Sequence, residues 1–256
     1  MHTTRGAVLE ALERDEFYLV YQPIVELATR RTVGLEALVR WLHPSDGELS
    51  PATFIEQFER NGAITDLGAW VTRRAMAEAS EWHRAARAKD RELYLSVNVS
   101  GFELQQLTYS PALVSMCNDF EHRCQDLRVE IIESEFDLGG PDVRANLATL
   151  RKEEVRVVID DFGTGASTVD RLLEISADAI KLDASLIADL EDNSERFASI
   201  AAVVAAGDLA GVEVVAEGIE RESQHDLLLR AGCRFGQGYL FSRPVRAENV
   251  PTILDV

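Results

Sequence analysis

Two adjacent carboxylates close an apolar run in this chain, and their type and spacing are the first to suggest chemistry. Val155-Arg156-Val157-Val158-Ile159 is followed by Asp160-Asp161-Phe162-Gly163-Thr164-Gly165. The β-branched run fits a strand covered on both faces, and the two glycines free the backbone for a tight loop behind it. Neighbours on a strand point to opposite faces, so Asp160 and Asp161 can serve one centre only if the strand breaks between them. Carboxylates this close repel, and a divalent cation between them relieves the repulsion. A solvated Asp-Asp pair before a turn is the plainer alternative; the rest of the chain weighs against it.

Polar residues of matching chemistry interrupt or end other apolar runs: Glu36, Asn98, Glu130, Glu133, Lys181, Glu217 and Gln237. Buried unpaired, each would cost a few kcal/mol, roughly 2 to 7, so structure alone is a poor explanation of the set. Carboxylates and an amide carbonyl are hard oxygen donors, suited to magnesium or manganese rather than to zinc. His2, His43, His83, His122 and His225 are scattered over expected helices and loops and fit surface or packing roles. The acidic set exceeds what one cation needs, which points to a two-metal site clamping the attacking and leaving oxygens of a phosphoryl transfer. Asp160 is then the bridging residue. Lys181, between Ile180 and Leu182, has two readings: a Schiff-base nucleophile of a barrel lyase or aldolase, or an ammonium kept protonated by carboxylates and used to orient water. Arg40 shares the Glu36 face and is either a phosphate fork or a rim salt bridge.

Helix and strand periods alternate along the chain in a way that places these residues. An amphipathic helix over 4–16 leads into strand-like runs Phe17 to Val25 and Thr32 to Trp41, joined closely enough through Ala28, Thr29 and Arg30 to form an antiparallel hairpin. Pro51 opens a short helix through Phe54, Ile55 and Phe58, and a longer one runs from Ile64 to Ala88. Further strands are expected at Leu93 to Val99, Leu127 to Ile132, Val155 to Ile159, Ala179 to Leu182, Val212 to Ala216 and about Phe235 to Phe241. Helices over roughly 110–123, 141–153, 168–175, 194–210 and 220–231 fill the gaps. The pattern predicts an α/β fold, a TIM-like (β/α)8 barrel with an antiparallel first strand, as one domain over residues 1–256. Chemistry in such barrels sits at the C-terminal ends of the strands, where most of the polar residues above fall.

The formal net charge of -18 over 256 residues argues against a broad nucleic-acid or anionic-membrane surface, though not against an anionic substrate whose pocket holds metals. No apolar run is long enough to span a bilayer, and Met1-His2-Thr3-Thr4-Arg5 leads into a charged helix, so a cytoplasmic protein is expected. Cys117, Cys124 and Cys233 form neither a disulfide frame nor a zinc pattern and read as small buried residues.

The run Glu36-Ala37-Leu38-Val39-Arg40-Trp41, with Tyr21-Gln22-Pro23-Ile24, Val97-Asn98-Val99-Ser100, Asp160-Asp161-Phe162-Gly163-Thr164-Gly165, Lys181-Leu182-Asp183, Ala216-Glu217-Gly218-Ile219-Glu220 and Gln237-Gly238-Tyr239, resembles the EAL domain family of cyclic di-GMP phosphodiesterases. Each segment is weak alone; the ordered set is specific. The resemblance implies one metal on Glu36, Asn98, Glu130 and Asp160, and a second on Asp160, Asp161 and Glu217. It further implies Glu217 as general base, Lys181 positioning the hydrolytic water, Gln237 supporting the site and Glu133 bracing the Asp161 to Gly165 loop. Arg40, Gln22 and Leu38 would touch the dinucleotide. The implied reaction, part of bacterial second-messenger signalling, opens one phosphodiester bond of cyclic di-GMP to give linear pGpG, requires Mg2+ or Mn2+, is inhibited by Ca2+ and is carried out by a homodimer. Departures from the family pattern are Ile132 where a threonine is usual, Ala166 where an aromatic is usual, and Gln57-Phe58-Glu59 in place of the Ala-Glu segment. Ile132 removes a hydroxyl from beside Glu130, a change that commonly costs about tenfold to a hundredfold in metal affinity or activity. It favours the alternative of an EAL domain that binds cyclic di-GMP as a sensor without turning it over.

Overall fold

An opening hairpin sets the geometry of the whole sheet. The protein's computed structural model describes residues 3–132, 140–163 and 176–254. Strand β1 (Phe17–Glu26) runs antiparallel to β2 (Thr32–His43), in one register from Phe17 opposite Trp41 to Ile24 opposite Gly34, and shifts by one residue to place Val25 opposite Thr32. Strand β3 (Gly47–Leu49) folds back on β2. From β2 the sheet continues in parallel through β4 (Tyr94–Asn98), β5 (Leu127–Ile132), β6 (Arg156–Phe162), β7 (Ala179–Leu182), β8 (Glu213–Ala216) and β9 (Phe235–Gly236). Antiparallel pairing of β1 with β9 closes the ring, while β10 (Val245–Arg246) lies outside it on β1. The ten described strands thus form a closed eight-stranded α/β barrel with β3 and β10 as flaps, and the first barrel strand runs against both neighbours, as the hairpin implied.

Parity then sorts the side chains. Leu95, Val97, Val129, Ile131, Val157 and Ile159 are buried toward the surrounding helices, leaving Ser96, Asn98, Glu130 and Asp160 for the interior. The described α-helices are α1 (Arg5–Glu13), α2 (Ile55–Asn61), α3 (Ile64–Ala88), α4 (Gly101–Leu104), α5 (Tyr109–Asp119), α6 (Pro141–Lys152), α7 (Ala184–Ala188), α8 (Ser194–Ala210), α9 (Glu222–Arg230) and α10 (Pro251–Leu254). On α3, Leu67, Val71, Ala75, Met76 and Ala79 recur at helical spacing and are buried. Phe58 is fully buried, its ring 5.1 Å from Phe54 and 5.5 Å from Trp41, so the change at this segment fills core. Among the described residues no helix is long and apolar enough to cross a membrane.

The expected elements differ from the observed ones for identifiable reasons. Pro51 opens a 3-10 turn, Pro51–Thr53, before α2 begins at Ile55. Helix α5 ends at Asp119, short of 123, because Glu121 takes φ 56° and turns His122 inward, where its Nδ1 lies 2.9 Å from His83 Nδ1. The last barrel strand stops at Gly236: Gly238 crosses the backbone of Ile219 so closely that a Cβ there would lie 2.1 Å from its carbonyl oxygen. The helix expected over 168–175 lies outside the described residues.

The N-terminal end of the barrel is filled by charge. Arg128, buried, lays its guanidinium 3.6 Å from the Tyr94 ring centroid and donates to Glu213 at 2.7 Å, and Glu213 also accepts from Arg156 at 2.9 Å. Gly34 makes room, since a Cβ there would sit 2.2 Å from the Tyr94 ring. Removing Glu213 strands a buried cation, so Glu213→Ala is expected to cost about 3 kcal/mol. A urea midpoint that falls at unchanged slope checks it; an unshifted midpoint would deny the ion pair its role.

Candidate active site

The strand break that two adjacent aspartates require is present. Ile159 pairs with Ile180 and Phe162 with Leu182, so β6 carries one residue more than β7 across this interval, a bulge at Asp160-Asp161. Asp161 takes φ 55° there. The bulge brings carboxylate oxygens of Asp160, Asp161 and, from just beyond β8, Glu217 within 4.8 Å of one another.

Lys181 rises from β7 into the middle of this group, 1% exposed. Its ammonium lies 2.6 Å from Glu217, 2.9 Å from Glu130, 3.0 Å from Glu36 and 3.8 Å from Asp160. Glu36 is oriented further by Asn98 at 2.9 Å and by Gln237, whose amide nitrogen donates to it at 2.7 Å and to Gln22 at 2.9 Å. Gln22 and Glu36 face each other across β1 and β2. A cavity of about 550 Å³ opens at the C-terminal ends of the parallel strands, with Glu36, Asn98, Asp160, Glu217 and Gln237 at its polar end and Ile55, Ile64, Leu67 and Val71 at its apolar end.

Burial works against the charge on Lys181, yet Asp160, Glu130, Glu217 and Glu36 together outweigh it and hold the amine well above the ordinary lysine value. It stays an ammonium, which is poor chemistry for a Schiff base. Among the carboxylates, burial followed by the charges of Glu36 and Asp160 pushes Glu130 up. Burial and then Asp160 and Glu36 push Glu217 up to about 8, against the opposing pull of Lys181. Asp160 and Asp161 are raised as well, chiefly by burial. Glu36 is held below its ordinary value despite burial, by Lys181, Gln237 and Asn98.

The cluster is therefore short of positive charge. Among the described residues, five carboxylates (Glu36, Glu130, Asp160, Asp161, Glu217) outnumber the one ammonium by four negative charges when all are ionised, matching two divalent cations. The donors are all oxygen, and Gln237 Oε1 is buried beside them with no hydrogen-bond partner among the described residues. The residues fit a hard divalent cation site.

The structure brings Glu36, Asn98, Glu130, Asp160, Asp161, Lys181, Glu217, Gln237 and Gln22 together, and Leu38 lines the cavity. Arg40 lies outside its lining, with Nη1 donating to the carbonyl of Val39 at 2.8 Å. Ile132 lines the cavity, on the Glu130 side as parity required. Glu133 and Ala166 lie outside the described residues.

Sequence reasoning missed two residues. Ser96 on β4 donates its hydroxyl to Glu130 Oε1, and its place two residues ahead of Asn98 on the same face was the available signal. Glu103 on α4 lines the cavity and is 5% exposed; it accepts from the Ser100 backbone and hydroxyl, both at 3.0 Å, in a capping box legible as Ser-x-x-Glu. Burial pushes Glu103 up to about 7. Its folded value exceeds the unfolded one, so the contribution of Glu103 to stability is full below about pH 4.5, is lost as pH rises toward about 7 and is constant above that. Glu103→Gln keeps the cap and removes the titration. It should be more stable than the unchanged protein by about 1–3 kcal/mol at pH 8 and nearly equal to it at pH 4; urea melts giving equal stabilities at pH 8 would contradict this.

A barrel with its first strand reversed and a carboxylate ring around one lysine defines a class. The chain belongs to the EAL domain family, whose model matches residues 5–244. It is 35% identical over 249 residues to a Pseudomonas aeruginosa protein named as a cyclic di-GMP phosphodiesterase, an alignment covering 97% of this chain and 42% of that one. Among solved structures, it matches the MucR phosphodiesterase in complex with c-di-GMP at TM-score 0.85 and 32% identity, covering 96% of this chain and 98% of that one. It matches the EAL enzyme Bd1971, bound to cAMP and cyclic-di-GMP, at TM-score 0.90 and 28% identity, covering 98% and 68%. The chain spans between 30% and 42% of the length of the first curated relatives it matches.

Proposed function

We propose that this chain is a metal-dependent phosphodiesterase that opens one phosphodiester bond of cyclic di-GMP to give linear pGpG. The observation carrying this reading is the ring of four carboxylates around Lys181, with Asp161 beside Asp160 and Glu217, next to the polar end of a cavity large enough for a dinucleotide. Glu36, Asn98, Glu130 and Asp160 would hold one cation, and Asp160, Asp161 and Glu217 the other, with Mg2+ or Mn2+ fitting the oxygen donors. When bound, the pair supplies Lewis-acid activation of the phosphate and of the attacking water.

The chain's own residues do the remainder. Lys181 is fixed by four carboxylates within 3.8 Å and presents an ammonium that orients the water and offsets charge on the phosphate. Glu217 takes the water's proton as the water oxygen bonds to phosphorus, and the P–O bond to the leaving ribose oxygen breaks, that oxygen picking up a proton to become the free hydroxyl of pGpG. Gln237 keeps Glu36 and Gln22 in place, Leu38 and Gln22 contact the dinucleotide, Arg40 meets a phosphate at the rim, and Glu133 braces the loop after β6. The cytoplasmic setting, the single domain over residues 1–256, the homodimer and inhibition by Ca2+ belong to the same reading. Ile132 favours a second one, a binding-only sensor; the Ser96 hydroxyl on Glu130 counts against it.

Incubation of the purified protein with cyclic di-GMP, with Mg2+ or Mn2+ and with a chelator, decides between them. pGpG whose release the chelator stops supports the hydrolase. Binding in Ca2+ without product in Mg2+ or Mn2+ supports the sensor, and neither binding nor product removes both.

A further inference from the structure

Glu130 is held at both ends of its carboxylate. Oε2 takes the Lys181 ammonium at 2.9 Å, and Oε1 takes the Ser96 hydroxyl, the side chains of Ser96 and Glu130 being 0% and 1% exposed. Ser96 lies opposite Glu36 in the β2–β4 ladder and Asn98 opposite Glu130 in the β4–β5 ladder, so this hydroxyl stands level with Glu36 and two residues ahead of Asn98 on the same strand face. The next interior position on β5 is Ile132, which has no donor to offer. A glutamate has three rotatable side-chain bonds, and burial without a fixed partner on one oxygen leaves its orientation free and its desolvation uncompensated.

We propose that Ser96 is a positioning residue for the cation site: by donating to Oε1 it fixes the rotamer of Glu130, so that the carboxylate is set for metal before metal arrives. The inference rests on Glu130 being a ligand, as read above. Ser96 touches neither substrate nor reacting atoms. Partners that orient ligating carboxylates typically change metal affinity by about tenfold to a hundredfold when removed. That is the expected loss for Ser96→Ala.

The experiment is a Mn2+ titration followed by electron paramagnetic resonance of free Mn2+, on the unchanged protein, Ser96→Ala, Ser96→Thr and Ser96→Ala with Ile132→Thr, with turnover of cyclic di-GMP measured alongside. Ser96→Ala should need roughly tenfold to a hundredfold more Mn2+ for half-occupancy, with turnover approaching the unchanged rate at saturating Mn2+. Ser96→Thr, which keeps the hydroxyl, should restore affinity, and a hydroxyl returned at position 132 should recover part of it. Unchanged Mn2+ affinity in Ser96→Ala overturns the proposal. So does an equal loss in Ser96→Ala and Ser96→Thr, which would make the site one of packing. If the unchanged protein binds Mn2+ and makes no pGpG, the hydrolase reading fails while the titration still decides the role of Ser96. If it makes pGpG and Ser96→Ala binds Mn2+ normally, the role of Ser96 fails alone.

Discussion

Glu36→Ala should lose turnover of cyclic di-GMP by roughly a hundredfold to a thousandfold or more, the scale seen when one preorganised group is taken from an active site, and should keep its fold. Both halves follow from the same contacts. Glu36 is where Asn98, Gln237 and Lys181 converge, at 2.9, 2.7 and 3.0 Å, so its removal takes away a proposed ligand and the anchor of two amides at once. The fold survives because the cluster holds an excess of negative charge. Without Glu36, Lys181 still has Glu130, Glu217 and Asp160 within 3.8 Å, and the mutual repulsion that raises Glu130 is reduced. Circular dichroism and the thermal midpoint in chelator should therefore match or exceed those of the unchanged protein. A rate for pGpG release equal to that of the unchanged protein would remove the metal-site assignment, and an unfolded variant would show that Glu36 is needed structurally.

The parts of this site legible in the sequence are those governed by strand parity and local turn chemistry. Asp160 and Asp161 demanded a broken strand, and a bulge with Asp161 at φ 55° supplies it. The reversed first strand followed from a hairpin too short for a crossover. What escaped depends on contacts between residues distant in the chain. Arg128 meets Glu213 across 85 residues, and no local pattern pairs them. Gly236 ends the last barrel strand because Gly238 must pass Ile219, a crossing set by the closed ring rather than by the run of apolar residues through Phe241. Ser96 lay within reach of parity, two residues ahead of Asn98 on the same face, but a serine inside an apolar run says little until its hydroxyl is seen to reach Glu130. Arg40 has the strand parity of Glu36, yet it is absent from the cavity lining and its Nη1 donates to the carbonyl of Val39, since parity fixes a face and says nothing of depth.

The other large effect is expected of Lys181→Met, and it should depend on metal. In chelator, the variant has Glu36 and Glu130 buried with their one cationic partner among the described residues gone, the situation in which loss of a buried counter-charge costs about 3–5 kcal/mol. For a chain of this size each kcal/mol moves the thermal midpoint by about 2–4 °C, so a drop of roughly 10 °C is expected. Two divalent cations would restore most of the missing charge, and the rise in midpoint on adding Mn2+ should then be larger for the variant than for the unchanged protein. Turnover should not return with stability, because the ammonium that orients the water is still absent; a deficit of roughly a hundredfold or more should persist at saturating Mn2+. The split separates the two tasks assigned to one side chain. If metal restored rate as fully as stability, Lys181 would be only a counter-charge. If the midpoint in chelator did not move, the four carboxylates around it would have to be neutral in the folded protein, and the argument for a two-cation site from uncompensated charge would fall with it.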